Sequence, residues 1–496
     1  MPAGRSSGFI AILILALSAG ACVRPDNLPI TDAGAALSGK YPARYDFDAW
    51  VTARGGVPDP AVVLSFSGGG LKAAALATAV LSELSRYRLP SGESLADHVA
   101  IVASNSGGGF AAANFVVNGP DSLDKFRDGF LRSSLLSSLL IRAASDPFSL
   151  YRVFEDRSGY LRDGVDALLE KATFGQLDSR RPFLLIGATD YSAERHFVFS
   201  QRSFSDLCSD LSRFSVAEAV TASAAVPFGL TDVELKNYSG LPECPLRGTL
   251  PKPDPAVLYS DKQRFLDWRY SDSLRRSHDP PTDPSHEPFR RVDDVHLFDG
   301  GIVDNLAIRP LLRLLDQEGL KTYFADRTIL FVLVNARSDT ASDIDHNPGS
   351  PYWSDLIEGV PFGAIDNDTA LSDYTAFAYW NEVFATAAPG PFAARLYFAE
   401  VDFDQMLDPV LQKTLKEMGS LSLAAGDLDN LYAGARLLLQ AHPCFAAFVK
   451  DAKVVRPGAQ GRIDPMLPEG CAVMKPGKIA KPPLPPLFRF SNRESR

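Results

Sequence analysis

The chain has 496 residues, of which 46% are hydrophobic and 22% are charged, and its formal net charge is −10. This composition is typical of a globular protein with ample apolar material for a large core. The acidic balance, together with the lack of a Lys/Arg-rich run that would hold a phosphate backbone, argues against nucleic acid as a partner.

The N-terminus has the pattern of a secretory signal peptide. Arg5 provides a positive charge, and residues 9–21 form a run of thirteen apolar and small side chains. A membrane-spanning helix needs roughly 20 such residues, so the run favours a signal peptide over residues 1–21, with a buried N-terminal helix as the alternative. Residues 22–59 are turn-rich, which indicates a tether or lead-in. We therefore expect a bacterial protein that is exported to the cell envelope.

Cys22 is the predicted site of a lipid anchor. The sequence AGAC at residues 19–22 resembles a lipobox, in which the cysteine is lipidated and becomes the mature N-terminus, although Ala19 stands where leucine is usual. The same residues also fit an A-x-A site for ordinary signal peptidase. An acyl chain adds about 0.8 kcal/mol of membrane binding per buried CH₂. A lipidated Cys22 would tether the protein to a membrane that faces the periplasm or the exterior.

Four further cysteines indicate two disulfides, because an even number is typical of exported chains. Three connectivities are possible, and we favour the pairing of neighbours, Cys208 with Cys244 and Cys444 with Cys471. No CxxC motif and no clustered His/Cys spacing predicts a zinc site. We accordingly expect neither a metal nor a cofactor.

Hydrophobic runs and glycine-rich turns predict alternating strands and helices. Strand-like runs lie at residues 61–66, 98–103, 182–189, 196–200, 295–298 and 329–335, and helical patterns lie at residues 71–89, 110–117, 216–224 and 302–315. Strand, glycine turn and helix follow one another twice near the start of this region. That succession is typical of an α/β fold with a parallel sheet.

The composition also divides the chain into regions. Residues 60–335 form the predicted α/β domain, and the polar residues 250–294 predict a surface insertion within it, with a lid over a lipid cleft as the alternative. Residues 336–474 are more helical, which indicates either a C-terminal subdomain or extra layers on the same core. A Pro-rich tail follows at residues 475–496.

Ser106 is the candidate nucleophile. It lies in the turn SNSGG at residues 104–108, between a predicted strand and a predicted helix. A serine at such a turn presents its hydroxyl above the sheet edge, and the strained backbone needs small neighbours, here Ser104, Gly107 and Gly108. The helix that follows directs its N-terminal amides towards the serine. Taken alone, the pattern also fits a purely structural turn.

Gly68, Gly69 and Gly70 form the candidate oxyanion hole. Three successive glycines let the backbone approach a ligand closely and direct its N–H groups at the negative charge that develops in a transition state. A phosphate-binding Walker loop needs Gly-Lys-Ser/Thr, whereas alanines follow Lys72 here. A tight connection between strand and helix is the other alternative.

Asp299 is the candidate proton acceptor. It opens the turn DGG at residues 299–301, directly after a predicted strand. A carboxylate there can accept the proton of a serine hydroxyl as that oxygen attacks. Because sites in open α/β sheets form at the carboxyl ends of the strands, we expect the glycine loop, Ser106 and Asp299 to converge on one sheet edge.

Together these motifs resemble those of the patatin-like phospholipases. The family's Asp-Gly-Gly-Gly-x-Arg/Lys-Gly loop matches residues 67–73, with Ser67 in place of Asp and Ala73 in place of the last Gly. Its nucleophile elbow matches the turn around Ser106, with Ser104 in place of the first Gly.

Three more segments carry the resemblance. The family's Asp-Gly-Gly/Ala motif matches residues 299–301, and residues 222–228, ASAAVPF, are similar to its small-residue stretch before a proline. Residues 188–190, ATD, and the strand after them also resemble a family segment. The resemblance covers about residues 60–335. It implies a three-layer α/β fold with a central, mostly parallel sheet flanked by helices, followed here by a more helical C-terminal region.

The resemblance also implies a Ser–Asp dyad, with Ser106 as nucleophile, Asp299 as its partner and the glycine amides as oxyanion hole. A His-dependent triad is the alternative, and His296 lies three residues before Asp299. That spacing puts the two side chains on opposite faces of a strand, so we expect a structural histidine. Lys72 is either a cation for lipid phosphate or, as we prefer, a solvated helix residue.

Three functions are compatible with these motifs. The first is a lipid acyl hydrolase of the phospholipase A or lysophospholipase type, which acts on a lipid ester at a membrane surface. The second is a general carboxylesterase. The third is an inactive scaffold that binds lipid or an envelope partner, which the departures at Ser67, Ala73 and Ser104 keep open. The sequence does not predict an oligomeric state.

Overall fold

The most hydrophobic runs of the sequence become the central strands of an eight-stranded sheet. In the strands that occupy its middle every residue is buried, as expected for parallel strands covered on both faces. The strands are Ala61–Phe66 (β1), Val99–Asn105 (β2), Phe183–Asp190 (β3), Arg195–Val198 (β4), Val233–Lys236 (β5), Asp294–Phe298 (β6), Thr328–Asn335 (β7) and Arg395–Asp402 (β8).

The computed structural model describes residues 27–30, 45–132, 157–227, 230–242, 244, 262–278, 291–316, 323–324, 327–337, 395–420, 422–424, 426–457 and 471. Helices flank the sheet. Their bounds are Phe47–Arg54 (α1), Gly70–Leu84 (α2), Gly107–Asn118 (α3), Leu123–Phe126 (α4), Arg157–Leu168 (α5), Gln201–Asp206 (α6), Val216–Ser223 (α7), Lys262–Arg276 (α8), Ile308–Asp316 (α9), Pro409–Lys416 (α10), Asp427–Ala441 (α11) and Pro443–Asp451 (α12).

The sheet has a parallel part and an antiparallel part. Its strand order is β5-β6-β3-β2-β1-β7-β8, and β4 pairs with β3 beside that path. Strands β3, β2, β1, β7 and β8 run parallel to one another, whereas β4 and β6 run antiparallel to β3, and β5 antiparallel to β6. The predicted α/β class, with a mostly parallel central sheet flanked by helices, is confirmed.

The C-terminal region adds layers to the same core. Strand β8 extends the sheet beside β7, and the helix α11 packs against α2. Helix α2 is therefore buried almost all round, between the sheet and α11, and Glu83 near its end accepts a 2.8 Å hydrogen bond from Gln440 on α11. Of the two alternatives left open by the sequence, the structure corresponds to extra layers rather than to a separate subdomain.

The predicted lead-in extends the core as well. Helix α1 begins after Asp46, whose carboxylate caps it by accepting from the amide of Ala49 at 2.8 Å. Its buried side chains Phe47 and Trp50 pack on the core, and the indole N–H of Trp50 donates to the carbonyl of Arg181. Residues 45–54 thus belong with the α/β domain and not with the tether, because their aromatic side chains provide apolar area to bury.

The predicted polar insertion contains an ordered helix that packs on the body. In α8, Leu274 is buried and the hydroxyl of Tyr270 donates to the carboxylate of Asp190 at 2.8 Å. Arg275 pairs with the buried Asp206 at 2.5 Å. Residues 262–276 are therefore not a simple surface loop, while residues 250–261 and 279–290 lie outside the described part.

Two disulfides join cysteines that are neighbours in sequence. Cys208 is bonded to Cys244, and Cys444 is bonded to Cys471, which is the pairing that we favoured. Cys22 and the predicted signal peptide lie outside the described residues, as does the tail at 475–496. None of the described helices is both long enough and apolar enough to span a bilayer.

Candidate active site

Ser106 occupies a sharp turn between β2 and α3. Its backbone has φ 48° and ψ −124°, a conformation that a residue with a side chain adopts only when its surroundings impose it. The next residue, Gly107, begins α3. Ser106 is buried, with 6% of its surface exposed, and this is the geometry of a nucleophile elbow, in which the hydroxyl stands above the sheet edge.

The small residues around Ser106 have a steric cause. A side chain on Gly107 would collide with the backbone of Gly70, and one on Gly108 would lie 2.7 Å from the Phe66 side chain. The elbow and the glycine loop therefore pack backbone to backbone. Ser104, which replaces the family's first glycine, is accommodated because its hydroxyl contacts the carbonyl of Leu185 at 3.4 Å.

Asp299 reaches the site from an antiparallel strand. Strand β6, which also pairs with β5, contacts only the last residues of β3, with Thr189 opposite Phe298 and Asp190 opposite Leu297. It therefore approaches the carboxyl edge of the parallel strands from beyond their ends. The expectation that the motifs converge on one edge agrees with the structure, but the reasoning from parallel strands does not apply to Asp299, since its strand runs the opposite way.

The Asp299 carboxylate is held by two donors. The hydroxyl of Ser106 donates to its Oδ2 at 2.6 Å, and the amide of Gly301 donates to its Oδ1 at 2.7 Å. Burial disfavours the charged form and raises the pKa of Asp299 to about 6, although both hydrogen bonds oppose that change. A base with a pKa near the working pH is well matched to proton transfer.

The glycine loop lies against the nucleophile, with one change from the predicted set of donors. A side chain on Gly68 would lie 3.3 Å from Cβ of Ser106, so the loop approaches Ser106 closely. The Gly68 amide, however, donates to the backbone carbonyl of Asn305 at 3.0 Å. Gly68 therefore does not fit the predicted role of an oxyanion donor, because its single N–H is already engaged. Its small size is what the site requires.

The backbone amides of Gly69 and Gly70 remain available as candidate oxyanion donors. Their φ values are 128° and 60°, in the region that favours glycine, and within the described residues neither amide donates to an acceptor. Ser67, in the position of the family's aspartate, fixes the start of the loop. Its hydroxyl donates to the carbonyl of Gly68 at 2.9 Å and accepts from the amide of Ala336 at 2.9 Å.

The C-terminal region holds the other end of the loop. The amide of Leu71 donates to the carbonyl of Ser420 at 2.6 Å, and a side chain on Gly70 would collide with that carbonyl. The sequence showed no motif in this region, and a backbone carbonyl leaves no signal in the residue type. The turn at Ser420 nevertheless borders the candidate oxyanion hole.

Lys72 contradicts both predictions made for it. It is fully buried, so it is neither a solvated helix residue nor a cation that faces lipid phosphate. Its ammonium lies 3.5 Å and 3.4 Å from the carbonyls of Leu415 and Lys416 at the end of α10, and 5.3 Å from the ring centre of Phe403. The physical reason is the partial negative charge at a helix C-terminus, which attracts a cation.

The described histidines make other contacts than with the dyad. His296 pairs with Asp232 at 2.6 Å and is partly exposed, in keeping with the expected structural role. His196 is buried on β4, and burial together with nearby arginines holds its pKa well below the usual value. No described histidine is hydrogen-bonded to Ser106 or Asp299, while His286 and His346 lie outside the described residues.

Three residues that the sequence analysis did not assign hold the dyad in place. Ser223 accepts the backbone N–H of Ser106 at 2.8 Å, Ala225 accepts the backbone N–H of Asp299 at 2.9 Å, and Thr189 donates to the Asp299 carbonyl at 2.8 Å. The first two lie in the ASAAVPF stretch, so its resemblance to a family segment was the available signal. The described residues contain no cluster of His, Cys, Asp or Glu that could hold a metal ion.

A model of the family described as patatin-like phospholipase matches residues 64–312, about half of the chain, and the match includes Ser106 and Asp299. No curated protein matches the chain.

Two solved structures are similar over most of the chain. Human GIVD cytosolic phospholipase A2 has a TM-score of 0.38 and 12% identity, covering 87% of this chain and 68% of that one. The structure of that protein in complex with a methyl gamma-linolenyl fluorophosphonate inhibitor and terbium chloride has a TM-score of 0.35 and 12% identity, covering 86% and 65%.

Proposed function

This chain belongs to the patatin-like phospholipase family, a family of lipid acyl hydrolases, and on that premise we propose that it cleaves lipid esters with a Ser106–Asp299 dyad. The observation that carries the proposal is the 2.6 Å hydrogen bond from the Ser106 hydroxyl to the Asp299 carboxylate. A base within hydrogen-bond reach of the nucleophile is the geometric requirement for covalent acyl transfer.

Acylation begins when Ser106 Oγ attacks the ester carbonyl carbon. The hydroxyl proton passes to Oδ2 of Asp299, and the carbonyl electron pair moves to the oxygen, which becomes negatively charged. The amide of Gly301 keeps Oδ1 occupied, so Oδ2 remains directed at the serine. When the tetrahedral intermediate collapses, the bond to the alcohol oxygen breaks and Asp299 returns the proton to that oxygen.

The oxyanion is stabilised by the amides of Gly69 and Gly70. Both belong to the loop that packs against the elbow, and Gly70 is the first residue of α2, so its amide also lies at the positive end of a helix dipole. Removal of one comparable donor typically costs on the order of 10² to 10³ in rate. In the second half of the reaction, Asp299 takes a proton from water as its oxygen attacks the acyl-enzyme carbonyl. When the bond to Ser106 Oγ breaks, Asp299 returns the proton to that oxygen and the fatty acid is released.

We propose a phospholipase A or lysophospholipase as the specific type, because the family description names a phospholipase. A general carboxylesterase is the outcome if short-chain esters are preferred. Turnover of a dioleoyl phosphatidylcholine vesicle, a lysophosphatidylcholine micelle and p-nitrophenyl butyrate by the wild type and the Ser106→Ala, Asp299→Ala and His296→Ala variants tests both points. We expect turnover to be lost in the first two variants and kept in His296→Ala.

Two outcomes would contradict the proposed function. If His296→Ala abolishes turnover while Asp299→Ala retains it, the dyad is wrong. If the folded wild type turns over none of the three substrates, the chain is an inactive scaffold.

We also propose export to a bacterial envelope and a lipid anchor on Cys22, with residues 1–21 as signal peptide. The tether that follows Cys22 ends before Asn27, which is buried and donates to the hydroxyl of Ser209 at 3.1 Å. The support is the lipobox-like AGAC sequence, together with the two disulfides, since disulfides persist in oxidising compartments. Labelling of cells with a radioactive fatty acid tests the anchor. Incorporation into the wild type and not into Cys22→Ser is expected, and equal labelling of the two contradicts it.

A further inference from the structure

One short segment holds the backbones of both dyad residues. It follows α7, at residues 223–225, in the stretch that resembles a family motif. At its start, the hydroxyl oxygen of Ser223 accepts the amide N–H of Ser106 at 2.8 Å. At its end, the carbonyl of Ala225 accepts the amide N–H of Asp299 at 2.9 Å.

The contact from Ser223 acts on the strained point of the elbow. Ser106 has φ 48° and is surrounded by packed backbone, and an amide in that position has no strand neighbour to accept its proton. A buried N–H without an acceptor is costly. Ser223 has none of its surface exposed, so water is not in place to take over the same role.

The segment itself is well fixed. Helix α7 is capped at its start by Ser215, whose hydroxyl accepts from the amides of Ala217 and Glu218. Its last turn is closed by hydrogen bonds from Ala224 to Val220 and from Ala225 to Ala222. Ser223 is therefore presented from a rigid element, as a residue that positions another group must be.

From these contacts we propose that Ser223 is a positioning residue for the nucleophile, a role that rests on the proposed function of Ser106. Its hydroxyl holds the Ser106 backbone in the strained conformation, and together with the Ala225 carbonyl it sets the separation across which Ser106 Oγ donates to Asp299. Ser223 touches the backbone of Ser106 and not its reacting oxygen, so its effect is on the placement of that oxygen.

A matched pair of variants separates positioning from general stability. Ser223→Ala removes the acceptor, whereas Thr221→Ala removes a buried hydroxyl from the same helix that donates to the carbonyl of Ala217 at 2.8 Å and touches neither dyad residue. Because a misplacement of about 1 Å can cost on the order of 10²-fold in rate, we expect Ser223→Ala to lower kcat about tenfold to hundredfold with KM nearly unchanged. We expect Thr221→Ala to keep the wild-type kcat and KM.

Two more measurements complete the test. Ser223→Thr retains the hydroxyl and is expected to recover kcat. Amide hydrogen exchange with residue resolution is expected to show faster exchange at Ser106 in Ser223→Ala, by about tenfold or more, and unchanged exchange in Thr221→Ala.

The proposal is overturned if Ser223→Ala keeps the kcat of Thr221→Ala, whether or not exchange at Ser106 changes, or if Ser106 exchange is unaltered while kcat falls. Failure of the proposed function has a different signature. In that case the wild type already matches Ser106→Ala in ester turnover, before any variant of Ser223 is compared.

Discussion

Ser106 and Asp299, 193 residues apart in sequence, meet in a buried hydrogen bond of 2.6 Å from hydroxyl to carboxylate. They meet because β2 ends beside β3 on one side, while β6 ends beside the same strand on the other. The elbow then raises the serine above the sheet edge. The dyad is thus a property of how three strands are paired, and its energetics follow from its burial.

Activity is expected to depend on pH through Asp299. Burial raises the pKa of this carboxyl to about 6, and only the ionised form can accept the serine proton. The value of kcat/KM for a soluble ester should therefore rise with pH to a plateau above about pH 7, with a midpoint near pH 6. A profile measured on the His296→Ala variant as control should have the same midpoint. A profile that is flat from pH 5 to pH 8 would contradict this assignment.

The same burial predicts that removal of the charge stabilises the fold. The folded pKa of Asp299 lies above its ordinary value of 3.8, so ionisation of the carboxyl opposes folding. The protonated carboxyl contributes stability at low pH, and this contribution is lost as the pH rises through about 6. We expect Asp299→Asn to unfold at a higher temperature than the wild type at pH 8, because its free energy of unfolding is larger by up to about 3 kcal/mol. Below pH 4 the two should be equal. Thermal unfolding at both pH values decides this, and a variant less stable at pH 8 than the wild type refutes it.

Lys72 is expected to matter for stability. Its buried ammonium approaches the last carbonyls of α10, so Lys72→Met keeps most of the apolar stem but removes the cation from that helix end. We predict a loss of about 1–3 kcal/mol in the free energy of unfolding, measured in urea. Lys413→Met on the same helix is the control, since Lys413 is 74% exposed at the side chain. Equal stability of the two variants would rule out this role for Lys72.

Lys72→Met should also slow catalysis. Helix α10 leads to the turn at Ser420, whose carbonyl holds the amide of Leu71 beside the oxyanion loop. A looser α10 therefore weakens one support of that loop. We expect the kcat of the folded Lys72→Met variant to fall below that of the wild type, while Lys413→Met keeps the wild-type kcat.

Much of the α/β core was predictable because its signals are local. The strand predicted at residues 61–66 is β1, since a short apolar run closed by glycines has few alternatives in a parallel sheet. Within the region predicted to be more helical, α11 and α12 meet at Pro443, because proline ends one helix and suits the first turn of the next.

The errors came from partners that are distant in sequence. Burial of Lys72 depends on α10, more than 300 residues later, and the loss of the Gly68 amide depends on a backbone carbonyl, which any residue type at position 305 would supply.

Strand β8 was not predicted because its sequence, RLYFAEVD, mixes charged and apolar residues. Helix α8 was not predicted because polar bonds, such as that from Tyr270 to Asp190, hold it as much as apolar contacts.

Covalent labelling determines whether Ser106 is an activated nucleophile. The wild type, Ser106→Ala and the control Ser104→Ala are treated with a fluorophosphonate probe, and the adduct is located by peptide mass spectrometry. We expect one adduct per chain, on Ser106, in the wild type and in Ser104→Ala, and none in Ser106→Ala. A folded wild type that remains unlabelled, or an adduct on a different residue, would contradict it.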